Sequence, residues 1–239
     1  MKLSIEQLRV YEAFENKTAE CPLCLIQNEY ERQLIEVILG EMVMDSEFYT
    51  KLGNEFLFCR RHFEKLNQTY DKLGLALILD KIIDIEINNV EKSAQSINKD
   101  SLIRKIFKPH NNIRYDNNQE CFICNKIYTN IIDNIGILIH LWIREKDFKT
   151  LYKTCKGFCK NHYLLILSYC NHHNTYETGI NEFIEVTKEI QNKSLKELQK
   201  EIQWFIKKFD YLNADAPWGT SKDAVQRALK KIVGYKEEP

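Results

Sequence analysis

Cys21-Pro22-Leu23-Cys24 is answered by Cys59-Arg60-Arg61-His62, and the pattern returns as Cys121-Phe122-Ile123-Cys124 answered by Cys159-Lys160-Asn161-His162. In each copy 34 residues separate the two half-motifs, and the second copy follows the first by 100 residues without a gap. Cys-x-x-Cys joined to Cys-x-x-His supplies three thiolates and one imidazole, the four-donor set of structural zinc sites. Any fold of this chain must carry half-motifs that are distant in sequence to within bonding reach of one ion. The repeated spacing assigns Cys21, Cys24, Cys59 and His62 to one site and Cys121, Cys124, Cys159 and His162 to the other. Four protein ligands leave no open coordination position, so a metal held this way is structural. Zn²⁺ at two sites is the expected cofactor. An iron–sulfur cluster, which also takes cysteine with occasional histidine, is the alternative.

Core positions repeat together with the ligands. Under the same offset Ile35 matches Ile135, Phe48 matches Phe148, Phe58 matches Phe158 and Leu66 matches Ile166. This predicts an all-α chain of two pseudo-equivalent helical repeats, each pinned by a Cys3His metal site, followed by a long C-terminal helix and a short terminal one. The segments are 1–96 for the first repeat, 97–120 for a linker, 121–209 for the second repeat and 210–239 for the terminal motif and helix. Together they are expected to form one compact body. Eight Gly and four Pro are too few for a turn-rich β protein, which supports the all-helical reading.

Local signals place the elements. Ser4 and Gln7 suit a capping box before a helix over residues 4–16, with Leu8, Tyr11, Ala13 and Phe14 as its apolar side. Pro22 suits the first position of the next helix, with Cys21 as its cap. Leu25, Tyr30, Leu34, Val37, Ile38, Met42 and Val43 carry that helix to about Met44. A short helix is expected at Ser46–Leu52, stopped near Gly53. Cys59 and His62 open another helical region reaching Ile87, which Gly74 divides. One short helix is expected at Ser101–Phe107. A long helix runs over Thr175–Phe209, and Thr220 with Asp223 opens the last one, which stops at Gly234.

At each Cys-x-x-Cys the start of a helix favours thiolate charge. Three thiolates and one neutral imidazole around Zn²⁺ leave a net charge of −1, which Arg60, Arg61 and Lys160 can offset. Cys155 is a competing candidate ligand, and Cys170 with His172 and His173 is a candidate third site; the blander reading is a buried thiol beside surface histidines. His140, among apolar neighbours, reads as a core histidine, and His110 as solvated. Glu41 and Asp45 share a face as paired carboxylates would, and a solvated face explains them equally well. The sequence contains no phosphate loop, no Ser-His-Asp pattern and no His-Glu-x-x-His motif.

Lys plus Arg and Asp plus Glu are 34 each. This balance argues against a nucleic-acid partner. The longest apolar runs, Leu73–Leu79 and Ile135–Ile143, fall short of a membrane span. The first residues carry no apolar run of the signal-peptide kind. A cytoplasmic protein with reduced cysteines is expected, with an unknown protein or small-molecule partner and no membrane partner.

The motifs CPLC, MVMDSEFYTKLG, FCRRHF, CFIC, GFCKNH and the terminal NADAPWGTSKDAVQRALKKIVG resemble a family of uncharacterised bacterial and archaeal proteins known as a domain of unknown function. The resemblance covers nearly the whole chain and implies no activity. It draws attention to Asp215, Pro217, Trp218, Gly219 and Lys222, read as docking the last helix or, alternatively, as a ligand site. Three functions compete: a binding or scaffold protein, a redox or metal-dependent enzyme, and a metal or thiol-stress sensor.

Overall fold

A computed structural model of the chain describes residues 3–52, 58–99, 121–172 and 179–234. Among these every regular element is helical. The α-helices are α1 (Ile5–Glu15), α2 (Pro22–Gly40), α3 (Ser46–Leu52), α4 (Arg60–Gln68), α5 (Lys72–Lys99), α6 (Phe122–Arg144), α7 (Lys146–Tyr152), α8 (Lys160–His172), α9 (Ile180–Lys207) and α10 (Ala224–Val233). The expected stop at Gly53, the helix at 101–107, His110 and His173 lie outside the described residues.

Starts and stops follow local chemistry. Ser4 and Gln7 exchange both capping-box bonds, at 3.0 and 3.3 Å. Pro22 is the first residue of α2, where a missing N–H costs nothing. Cys59 caps α4. Several boundaries differ from expectation. α2 ends at Gly40, and Met42–Met44 form a separate 3-10 turn. The last helix is capped at Asp223 rather than Thr220, and Asp223 turns its carboxylate to Arg227 at 2.9 Å instead of to the backbone. On α1 the buried residues are Val10, Ala13 and Phe14, while Leu8 is exposed.

Gly74 does not divide a helix. The break lies between Gln68 and Lys72, and Asp71 Oδ1 then accepts from the Gly74 N–H at 2.9 Å in the first turn of α5. Gly74 is required for another reason: the backbone of Leu39 passes so close that a methyl there would run into its carbonyl.

The chain forms two compact units, one of Met1–Tyr30 with Thr129–Pro239, the other of Glu31–Tyr128. These do not coincide with the segments 1–96, 97–120, 121–209 and 210–239. The unit boundaries fall inside α2 and α6.

In the unit of Met1–Tyr30 and Thr129–Pro239, the core is aromatic. Phe14, Trp142, Phe148, Tyr152, Phe158 and Phe183 are all nearly inaccessible. Tyr152 meets Phe14, Trp142 and Phe183 with ring centroids 5.2–5.4 Å apart. Such pairs add roughly 0.5–1.5 kcal/mol each beyond their burial. The phenol is satisfied by Thr187 Oγ1 at 2.6 Å, and Thr187 in turn donates to the Phe183 carbonyl.

In the unit of Glu31–Tyr128, the core is mainly aliphatic. Ile35, Ile38 and Leu39 of α2 are buried with Val43, Leu66, Leu75, Ile78 and Ile123. Phe48 packs edge-on to Phe122, 5.7 Å between centroids. The matched residues Ile35 and Ile135, Phe48 and Phe148, Phe58 and Phe158, and Leu66 and Ile166 are buried in both copies. No described helix is long and apolar enough to cross a membrane.

Candidate metal centres

All eight predicted ligands fall into two four-donor groups, but not in the predicted combination. One group is Cys21, Cys24, Cys159 and His162; the other is Cys59, His62, Cys121 and Cys124. Each Cys-x-x-Cys is met by the Cys-x-x-His of the other sequence copy. The expected grouping within each copy is therefore corrected. Helix geometry gives the reason. α2 carries the chain from Pro22 to Gly40 without a turn. The chain leaving Cys24 is committed to the body of a helix before it can turn back.

In the first group His162 Nδ1 lies 3.4 Å from each of the sulfurs of Cys21, Cys24 and Cys159, and Cys24 Sγ is 3.7 Å from Cys159 Sγ. In the second, His62 Nδ1 is 3.1 Å from Cys59 and Cys121 and 3.4 Å from Cys124, with Cys59 and Cys124 sulfurs 3.9 Å apart. A tetrahedron built on metal–sulfur bonds of about 2.3 Å has sulfur–sulfur edges of about 3.8 Å, and shorter edges to nitrogen. Both groups have that size. All four donors in each lie within 4.8 Å of one another, so either can hold a metal ion.

The second ring nitrogen is anchored in both. Because Nδ1 faces the thiols, Nε2 carries the proton. His62 Nε2 donates to Glu31 Oε1 at 2.9 Å, and His162 Nε2 donates to Gln27 Oε1 at 3.0 Å. Such acceptors fix the tautomer and ring orientation of a metal-bound histidine. Glu31 is buried and also receives Arg61 at 3.0 Å and Lys65 at 2.9 Å. Burial alone would raise its pKa; the bonds from His62 and Lys65 and the charge of Arg61 outweigh this and hold the carboxyl down at about 2.

Within each group the thiols and imidazoles shift one another's protonation in both directions. Burial raises the Cys21 thiol well above its usual range, whereas hydrogen bonds from Cys21 and Cys24 pull Cys159 far below it. Burial opposes charge on His162, but bonding to Cys159 and Cys24 carries it up to about 9. At the other centre burial opposes the Cys121 thiolate, yet His62 and backbone N–H groups bring it down to about 6. A divalent cation replaces the shared protons in such a set, so binding releases them.

The backbone at Cys159 is held by α9. Gln191, buried, accepts from the Phe158 N–H at 2.9 Å and donates to the Phe158 carbonyl at 3.0 Å. Gly157, just before, has φ +82°, and a side chain there would press on the Gln191 amide. The sequence reading missed both Gln191 and Glu31. Their common signal is a polar residue inside a buried helical stripe: Phe183, Thr187, Gln191, Leu198 on α9, and Cys24, Asn28, Glu31, Ile35, Ile38 on α2.

The expected charge compensation is also partly revised. Arg61 acts through Glu31, but Arg60 is exposed and pairs with Glu64 at 2.9 Å, and Lys160 is exposed. At the Cys21 centre the buried cation is Lys231 of α10. Its ammonium donates to the carbonyls of Glu20 and Lys156 and lies 3.6 Å from the Glu20 carboxylate. Burial lowers its pKa, against the pull of Glu20 and Cys21. α10 ends at Gly234, where an added Cβ would lie 3.7 and 3.8 Å from the sulfurs of Cys159 and Cys24.

The remaining candidates separate cleanly. Cys155 lies in neither group and is half-buried; Cys170 is buried, and burial raises its thiol to about 11. His172 is exposed. His140 is exposed too, contrary to the core reading: α6 buries Ile135, Leu138, Ile139 and Trp142, and His140 falls on the other side of that stripe. Glu41 and Asp45 are exposed, and Asp45 accepts from the Glu47 N–H at the start of α3.

The terminal motif docks. Lys208 Nζ donates to the carbonyls of Asn213, Ala214 and Ala216 at 2.5–2.8 Å and sits 5.2 Å above the Trp218 ring. Trp218 packs on Phe205, and Trp204 Nε1 donates to the Pro217 carbonyl at 3.1 Å.

No curated protein and no solved structure matches the chain. Over residues 1–239 it belongs to a family of unknown function, DUF6062.

Proposed function

We propose that this member of the DUF6062 family is a zinc protein whose two ions act as structural cross-links, and that it works as a binding or scaffold protein. One observation carries the reading: two groups of three thiols and one imidazole, one buried throughout and the other partly buried, each with the size of a single tetrahedral coordination shell. Four protein donors close the shell, leaving no position for substrate or water. An iron–sulfur cluster distributes its cysteines over several irons with sulfides between them, which demands wider spacing than donors all within 4.8 Å. The Glu31 and Gln27 anchors suit a metal-bound imidazole at each centre.

The test is elemental analysis of anaerobically purified protein, followed by cobalt substitution. Two zinc ions per chain and the intense visible bands of tetrahedral cobalt–thiolate are expected. Brown protein containing iron and acid-labile sulfide would refute the zinc assignment.

A further inference from the structure

Beside the Cys21 centre, α9, the turn joining α7 to α8, and residues 219–227 enclose a cleft of about 1150 Å³. That volume lies slightly above the roughly 300–1,000 Å³ usual for small-molecule sites. We propose that this cleft binds a small polyanion carrying phosphate or carboxylate groups. The inference goes beyond the zinc reading and does not depend on it.

The lining argues for the charge of the ligand. Few of the lining side chains are wholly apolar: Ile190, Leu198 and the half-buried Cys155. Most of the acids are already neutralised. Glu20 accepts from Lys156 at 3.1 Å, and Glu201 and Asp223 both engage Arg227. Among the described residues Glu197 alone of the lining acids has no cationic partner. Against it stand three lysines without an acidic partner among the described residues: Lys193, Lys222 and Lys153, the last 5.8 Å from the Trp142 ring. Ser194 and Thr220 add hydroxyl donors beside Lys193 and Gly219. The uncommitted groups therefore present excess positive charge and hydrogen-bond donors, which suits a multiply charged anion. A monovalent anion would be poorly distinguished from solvent ions by such exposed lysines.

This also gives the terminal motif a second use. Trp218 and Pro217 dock the segment, while Gly219, Thr220 and Lys222 face the cleft. The rigid 3-10 turn Gly219–Ser221, held by the Ser221 hydroxyl on the Trp218 carbonyl at 2.6 Å, sets Lys222 opposite α9.

The experiment is calorimetric titration of the full-length, metal-loaded protein at low ionic strength in phosphate-free buffer. Glucose 6-phosphate and succinate serve as weakly chelating probes of the two anion chemistries, and metal content is measured on the same samples. Saturable binding of at least one probe is expected. Lys193→Ala with Lys222→Ala should weaken it at least about tenfold, since each removes a charged hydrogen bond. Lys207→Ala, an exposed lysine on α9 outside the cleft, should leave it unchanged. No binding of either probe to wild type would overturn the proposal. So would equal weakening by Lys207→Ala, or no weakening by the double variant. Intact metal content with no anion binding would dismiss the cleft while leaving the zinc reading standing.

Discussion

The crossed pairing of half-motifs makes a prediction that metal counting can decide. Cys21 and Cys159 share one donor group, whereas Cys59 belongs to the other. Removing Cys21 breaks one tetrahedron and leaves its remaining three donors a poor site. Removing Cys159 as well damages a site already lost. The expected zinc content is two ions per chain for wild type, one for Cys21→Ser, one for Cys21→Ser/Cys159→Ser, and none for Cys21→Ser/Cys59→Ser. Pairing within each sequence copy would reverse the two double variants. Stability should follow the same pattern. A site filled at about a thousand times its dissociation constant contributes about 4 kcal/mol. The Cys21/Cys159 pair should then cost about the same as either single change, with a coupling of similar size, while Cys21 and Cys59 should add. Urea midpoints in zinc-buffered solution, with metal measured on each peak fraction, give both readouts. A Cys21→Ser/Cys59→Ser protein retaining one zinc would refute the crossed assignment.

Other perturbations probe the supporting shells. Glu31→Gln should lower zinc affinity at the Cys59 centre by about 10–100-fold, measured by chelator competition, with little change at the Cys21 centre. Because the Glu31 carboxyl sits at about 2 against its usual 4.5, its stabilisation is complete above about pH 4.5 and is lost as pH falls towards 2. The difference in urea midpoint between wild type and Glu31→Gln should shrink over that interval; a constant difference would argue against the carboxylate. Lys231→Met leaves the Glu20 and Lys156 carbonyls without their buried donor, while the Glu20 carboxylate keeps Lys156, and should cost about 1–3 kcal/mol by denaturant titration. Gly74→Ala should cost about 1–3 kcal/mol through displacement of the Leu39 backbone, and a variant as stable as wild type would show that contact to be loose.

What could be read in the sequence was what is local. Pro22 marks a helix start through backbone chemistry that needs no distant partner, and the capping box at Ser4 works the same way. The eight ligands were legible because their spacing is itself chemical. Their combination was not, since every Cys-x-x-Cys is compatible with either Cys-x-x-His, and the choice depends on where long helices carry the chain. Glu31 and Gln191 were hidden for a similar reason. A polar residue in an apolar stripe shows that something polar lies opposite, but not what. His140 misled because its neighbours in sequence are apolar, whereas burial on a helix follows residues three and four away.

The crossed pairing also orders assembly. The span from Cys59 to Cys124 lies wholly inside the span from Cys21 to His162, so the two donor groups are nested like brackets. During synthesis the inner one can close as soon as Cys124 has emerged, while the outer must wait for His162. The inner closure also shortens the outer search. Cys24 and Cys159 are 135 positions apart along the open chain, but once the inner bracket is shut only the arms from Cys24 to Cys59 and from Cys124 to Cys159 separate them. Halving a loop in this way lowers its closure cost by about 0.6 kcal/mol, roughly a threefold gain in the outer site's effective concentration. Zinc added stepwise to the reduced, unfolded chain should therefore protect Cys59, Cys121 and Cys124 from alkylation before it protects Cys21, Cys24 and Cys159.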